Sequence, residues 1–295
     1  MMFDFSGMWL PVITPFREGR VDHVALSRLV AYYRDCGVHG FVALSTTGEA
    51  LALTCGEQDA VLNTIMMAAD GRPVIAGVTG INAEQMIARI AELGCLRVAG
   101  HRLAGLMVSS PAYIRPSQAG LVAYFTKLAD LSVLPLVLYE IPYRTGVTMT
   151  LETLLLLARH PQIQAIKDCA GSVAITQALI TDGGLQVLAG EDMNVLQSLS
   201  MGARGAITAG MHVSPEELIR LYECVRYGDL AEAQRIFRVF APLVAWLYAE
   251  PNPAPVKGWL AAQGWMTDEL RFPLLPASRG VVERLVALTM AEVAA

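Results

Sequence analysis

The chain has 295 residues, 54% of them hydrophobic and 17% charged, with a net charge of −5. That is enough apolar material for a large core, and the acidic balance, with no Lys/Arg cluster to neutralise phosphates, excludes a nucleic-acid surface. No apolar run reaches the roughly 18 residues of a membrane span, and the long run LSVLPLVLY is broken by Ser132 and Pro135.

The opening MMFDFSGMWLPVITPF has no basic region and no small-residue cleavage site, so a cytoplasmic protein is expected. From there the chain alternates between short apolar runs and helix signals. The runs are Met8–Ile13, Gly40–Leu44, Pro73–Val78, Gly105–Ser109, Leu134–Tyr139, Ile163–Lys167, Leu185–Ala189 and Gly205–Ala209. They are short, rich in β-branched residues and apolar on both faces, as parallel strands under helices must be. Between them, Asp22 precedes an amphipathic run to Arg34. Thr54 with Glu57 forms a capping-box pattern. Pro116-Ser117 opens another helix, and Ser214-Pro215-Glu216-Glu217 is a strong helix start. An open doubly wound sheet would need a glycine-rich fingerprint after the first strand, where TPFREGR stands instead. The pattern predicts an α/β chain: a (β/α)8 TIM barrel over residues 1–228. Additional C-terminal helices over 229–295 pack on it as part of one structural domain.

The five cysteines (Cys36, Cys55, Cys95, Cys169 and Cys224) never form a CxxC pair. They read as reduced thiols rather than disulfides or a zinc site, and no metal site is expected.

Barrel enzymes carry their chemistry at the C-terminal ends of strands. The ends here offer Ser45-Thr46-Thr47-Gly48-Glu49, Tyr113, Tyr139 with Arg144, Lys167, and Gly190-Glu191-Asp192. Lys167 is the informative one, because its predecessors are apolar. Desolvation disfavours an ammonium and lowers its pKa from about 10.4 by as much as several units. A neutral amine attacks a ketone to give a Schiff base, which then serves as an electron sink without a cofactor. The alternative is a lysine that snorkels to solvent or pairs with Asp168. Tyr139 and Tyr113 could carry protons with Thr46 between them, or be core residues with satisfied hydroxyls. The Thr46-Thr47-Gly48 turn could cradle a carboxylate, or simply turn. Arg144 could hold a second carboxylate, or form a surface ion pair. His212 is read mainly as structural, Asp168, Glu191 and Asp192 as helix caps rather than binders of acceptor hydroxyls or a cation, and Cys169 as packing.

These motifs together resemble the dihydrodipicolinate synthase / N-acetylneuraminate lyase family of Schiff-base aldolases. The likeness runs through LSTTGEALALT, SSPAYIRPSQAGL, VLYEIPYRTG, IQAIKDCAG, VLAGEDMNVL, MGARGAIT and EPNPAPVKGWL, covering nearly the whole chain. The resemblance implies that Lys167 binds pyruvate as a Schiff base and that Thr46, Tyr113 and Tyr139 relay protons. The tyrosine matching Tyr113 reaches a neighbouring subunit's site. That implies a homo-oligomer built from a tight dimer, expected as a dimer of dimers. Thr46 and Thr47 match the pyruvate carboxylate pocket, Ile207 a residue whose carbonyl lies near substrate, and Gly190 a small residue that keeps the pocket open. Arg144 in RTG matches the synthase branch, which condenses pyruvate with aspartate semialdehyde toward lysine and diaminopimelate. The rivals are a sister aldolase or dehydratase of 2-keto-3-deoxy sugar acids, 4-hydroxy-2-oxoglutarate or sialic acid, and a non-catalytic keto-acid sensor. No cofactor is implied. Three positions depart from the synthase pattern: Glu140 stands for Asn, Tyr143 for a small residue and Ala112 for Tyr. Where lysine-inhibited relatives bind lysine, this chain has Cys55, Gln58, Ile81, Gln85 and Ala112, with Asn82 and Glu84 one residue out of register. Weak or absent lysine inhibition is therefore expected.

Overall fold

The computed structural model describes residues 2–293. Eight parallel strands close into a barrel. They are β1 (Gly7–Pro11), β2 (Gly40–Ala43), β3 (Val74–Val78), β4 (Gly105–Ser109), β5 (Leu136–Glu140), β6 (Ile163–Asp168), β7 (Gln186–Ala189) and β8 (Gly205–Ile207). Neighbours follow chain order, and β1 closes the ring by pairing with both β2 and β8. Each expected run holds one strand, with ends moved by a residue or two. At the eighth, the strand stops at Ile207 and Ala209–His212 turns into a 3-10 helix.

Side chains alternate between the two faces of a strand. Trp9, Val42, Ile75, Val137, Leu188 and Ile207 point inward and fill the barrel interior. Their neighbours, such as Phe41, Leu138 and Ile166, point outward into the larger core beneath the helices. Parallel strands buried on both faces must read as continuous apolar runs, which is why the sequence showed them.

Three of the connecting helices start at the expected capping signals, Asp22, Thr54 with Glu57, and Ser117, and three more have side-chain caps that the sequence reading did not single out. Asp22 caps α1 (His23–Asp35), and the Thr54/Glu57 box caps α2 (Cys55–Ala69). Asn82 caps α3 (Ala83–Cys95) and Ser117 caps α4 (Gln118–Leu131). Thr150 and Ser172 cap α5 (Leu151–Leu157) and α6 (Val173–Asp182). Then follow α7 (Val195–Ser200) and α8 (Pro215–Tyr227), the latter with proline in its first turn. The C-terminal helices are α9 (Leu230–Leu247), capped by Asp229, α10 (Ala254–Ala262) and α11 (Arg279–Val293). No described helix is long and apolar enough to cross a membrane.

One buried ion pair seats these last helices on the barrel. Lys257 of α10 is fully buried, with its Nζ 2.5 Å from Glu49 Oε1 in the loop after β2. The same ammonium donates to the Glu269 carbonyl at 3.0 Å and lies 4.1 Å from the centre of the Phe16 ring. The other Glu49 oxygen accepts the Arg271 amide at 2.9 Å. Burial pushes the Lys257 amine down to about 8, against the pull of the Glu49 carboxylate. Removing one member strands a buried charge. Lys257→Ala should therefore lower the unfolding free energy by about 3–5 kcal/mol, and the double change Glu49→Gln/Lys257→Met should lose clearly less. Denaturant titration of the three proteins checks this; equal losses would remove the pair as the seat.

Candidate active site

The register of β5 against β6 brings the central residues together. Tyr139 pairs with Lys167, and Glu140 with Asp168. Alternation turns the first pair inward and the second outward. Lys167 is only 6% exposed. Its Nζ lies 4.4 Å from the Tyr139 ring centre, and no carboxylate among the described residues pairs with it. Asp168 is occupied elsewhere, accepting the Thr176 hydroxyl at 2.6 Å and the Ala170 amide at 3.0 Å. The paired alternative for Lys167 thus falls away. Burial drives the Tyr139 phenol well above its usual value, although a side-chain hydrogen bond with Thr46 pulls the other way.

Thr46 and Thr47 sit in the loop that follows β2. That loop begins at Leu44 and ends at Glu49, both in the left-handed region at φ +55° and +53°. Such residues persist only where their surroundings hold them. Here the Leu44 carbonyl is turned onto β3, where any side chain at Gly77 would collide with it. Thr47 is buried and accepts the Asn252 amide at 3.1 Å.

Above Lys167 lies a cavity of about 420 Å³. Thr46, Thr47, Tyr139, Lys167 and Gly190 line it from the strand ends, and Tyr143, Arg144 and Glu191 from the loops. The segment Tyr248–Asn252, between α9 and α10, supplies a further wall. The Arg144 guanidinium lies 5.8 Å from the Tyr143 ring centre and has no ion-pair partner among the described residues. The Tyr143 hydroxyl donates to Glu191 Oε1 at 3.1 Å across the mouth.

Six of the eight expected site residues meet in this cavity. Ile207 lies buried in the barrel interior with Tyr139 and Leu188. Tyr113 does not line its own chain's cavity; it is 89% exposed and held at φ +73°. His212 is also outside. Its Nδ1 lies 3.0 Å from the Ala209 carbonyl, and burial pushes its pKa down to about 4, so it packs as a neutral ring. Asp192 is not a helix cap. It is fully buried and accepts the Tyr248 hydroxyl at 2.6 Å and the Gly210 amide at 2.9 Å, tying the loop after β7 to α9. Sequence reasoning gave no site role to Tyr248 or Asn252. Asn252 belongs to the EPNPAPVK motif and Tyr248 lies two residues before it, and nothing local says where the segment docks.

Gly190 has a concrete steric reason. A Cβ there would overlap the buried Cys169 sulfur and press on the Asp168 carbonyl. Burial holds the Cys169 thiol well above its usual pKa, so it packs rather than reacts. Gly190→Ala should cost about 1–3 kcal/mol by overpacking and lower the rate with any substrate. Thermal melts and steady-state kinetics check both; an unchanged melting temperature would mean that the strand end can shift.

The profile of the Dihydrodipicolinate synthetase family matches residues 4–291. The 4-hydroxy-tetrahydrodipicolinate synthase of Pelobacter propionicus is 36% identical over 279 residues, covering 92% of this chain and 93% of its own length. The 4-hydroxy-tetrahydrodipicolinate synthase 2 of Clostridium acetobutylicum is 32% identical over 284 residues, covering 95% and 98%. The crystal structure of dihydrodipicolinate synthase from Thermotoga maritima superimposes with a TM-score of 0.93 at 28% identity, over 98% of each chain. With its profile, its relatives and its barrel in agreement, the chain belongs to the Dihydrodipicolinate synthetase family of aldolase-type lyases.

Proposed function

We propose that this enzyme condenses pyruvate, bound as a Schiff base on Lys167, with aspartate semialdehyde, the 4-hydroxy-tetrahydrodipicolinate synthase reaction. The observation that carries this reading is the buried amine of Lys167, without a carboxylate partner, on the cavity side of Tyr139. The amine attacks C2 of pyruvate, and the carbinolamine loses water with a proton from Tyr139. The iminium acidifies the methyl group, and its proton leaves to give an enamine. The enamine carbon attacks the aldehyde, whose oxygen takes up a proton, and water or the acceptor's own amine releases the product from Lys167. A phenol held above its usual pKa stays protonated and gives its proton only to a strong base such as departing hydroxide. Thr46 passes protons on from Tyr139, and Thr47, steadied by Asn252, binds the pyruvate carboxylate with it. Arg144, a cation at the rim without an ion pair, holds the acceptor's carboxylate bidentately. Gly190 and Ile207 shape the pocket, Ile207 through its carbonyl. Tyr113, exposed beside the exposed Ile114, completes the relay in a second copy of the chain, which makes the working unit at least a dimer.

A sister aldolase acting on hydroxylated keto acids is the second reading. The Tyr143–Glu191 hydrogen bond favours it, because it narrows the acceptor side and presents a carboxylate suited to hydroxyl groups. A coupled assay of pyruvate with aspartate semialdehyde separates the two. The expected result is a rate in the usual enzyme range, abolished in Lys167→Ala and reduced about 100-fold or more in Arg144→Ala, on the scale of a lost charge-assisted contact. Borohydride with pyruvate should label Lys167. Labelling without condensation would favour the sister aldolase, and no labelling would leave a keto-acid sensor.

Lysine should inhibit weakly or not at all. Cys55, Gln58, Asn82 and Gln85 line a separate cavity of about 420 Å³, but Asn82 is spent capping α3 and Glu84 pairs with Lys127 at the surface. A lysine titration of activity giving strong inhibition at low concentration would refute this.

A further inference from the structure

Glu140 is a carboxylate where the pattern of the first subsection expects an amide, and the mechanism gives it no part. It is 1% exposed and ends β5, facing outward from the catalytic Tyr139. Its Oε1 accepts the Met149 amide at 2.9 Å, while its buried Oε2 has no partner. Residues 140 and 149 bracket the arm that carries Tyr143 and Arg144. Inside the arm, the Thr145 hydroxyl bonds the carbonyls of Ile141 and Val147. Its far end is also held by Gln118 of α4, which donates to the Thr148 carbonyl and accepts the Thr150 amide. The arm is therefore a closed loop pinned at Met149 by the buried Glu140 carboxyl and at Thr148 and Thr150 by Gln118.

We propose that Glu140 is a positioning residue that docks the Arg144 arm in its protonated form and releases it on ionisation, so that pH controls acceptor binding without touching pyruvate binding.

The charge balance around Glu140 sets the direction. Asp168, beside it on β6, is the charged group that faces it and disfavours a second negative charge. Thr176 of α6 and Met149 of the arm bring no charge, nor does Ser110, which follows the Ser109–Tyr139 pair of β4 and β5. Burial raises the Glu140 carboxyl to about 7 from the ordinary 4.5, with Asp168 adding to the rise and the Met149 amide opposing it. Between those two values the docked arm holds a proton that an undocked, solvated arm has released. Docking is therefore fully favoured below that window and weakens as pH climbs through about 7. Pyruvate binding is untouched, because Lys167 stands on β6, Thr46 and Thr47 stand in the loop after β2, and Tyr139 faces the opposite side of β5 from Glu140.

The proposal rests on the reading that Arg144 holds the acceptor. Its test is KM for aspartate semialdehyde against pH, from about 6 to about 8.5, in the wild type and in Glu140→Gln, which keeps the carbonyl acceptor and cannot ionise. The wild type should show a several-fold rise in KM with pH, and the variant less than a twofold one. KM for pyruvate should follow the same course in both. Superimposable acceptor profiles would overturn the proposal. Hydrogen exchange of the 141–149 segment, corrected for intrinsic rates, decides the matter separately. Protection in the wild type should fall from pH 6 to 8.5, and equal protection would sink the idea even if Glu140→Gln failed to fold. If the semialdehyde proves not to be a substrate, the functional reading fails, while the exchange experiment still judges the arm.

Discussion

Among the described residues two lysine side chains are buried, and the difference between them organises the molecule. Moving an ammonium out of water costs several kcal/mol unless partners replace the lost hydration. Lys257 has such partners: the Glu49 carboxylate, the Glu269 carbonyl and the Phe16 ring. Lys167 has an aromatic face and an open cavity instead. A lysine whose neighbours satisfy it is a structural part, whereas one left facing a small cavity keeps its amine available to a ligand. The first makes the second useful, because Glu49 belongs to the loop that presents Thr46 and Thr47 to the cavity.

That arrangement divides the site by rigidity. Lys167 and Tyr139 stand on adjacent strands in register, among side chains that fill the barrel interior. Their separation is fixed by backbone hydrogen bonds and can hardly change. The carboxylate loop is less regular but constrained at both ends by left-handed residues, by Gly77 beneath it and by Asn252 above it. The acceptor side, with Tyr143 and Arg144, stands on a short helical turn, Pro142–Thr145, which is tied to the rest of the fold by the side chains of Glu140 and Gln118. On the proposed mechanism, the strand-mounted Lys167 and Tyr139 carry the Schiff-base chemistry, and the arm with Tyr143 and Arg144 selects what is joined to pyruvate.

The sequence disclosed the first of these layers well. Parallel strands covered on both faces read as apolar runs, and a lysine that ends such a run has nowhere to point but the barrel mouth. Asp22, Thr54 and Ser117 marked helix starts because a cap is a local hydrogen bond, written within four residues. What stayed hidden was contact between elements far apart in the chain. Nothing near Asp192 announces Tyr248, nothing near Thr47 announces Asn252, and the wall of the cavity between α9 and α10 follows from both. Tyr113 illustrates the same limit in the other direction. Its residue type and loop fit the proposed relay, but one folded chain leaves it in solvent, so that proposal calls on a second copy.

Glu140 shows how one substitution can act on a site it never touches. On the strand it occupies, the inward position belongs to Tyr139, so any change at 140 is felt behind the barrel wall rather than in the cavity. An amide there is neutral at every pH, while a carboxyl beside Asp168 has two states of different size, hydration and charge. Because the arm hangs between residues 140 and 149, the state of that carboxyl reaches Arg144 through the backbone alone. The proposed pyruvate end has no comparable titrating joint, since Lys167 and Tyr139 are set by strand register and the Thr46-Thr47 loop is held by Gly77 and Asn252. A fold that anchors its nucleophile on strands and its selectivity on a pinned loop can thus alter one without disturbing the other.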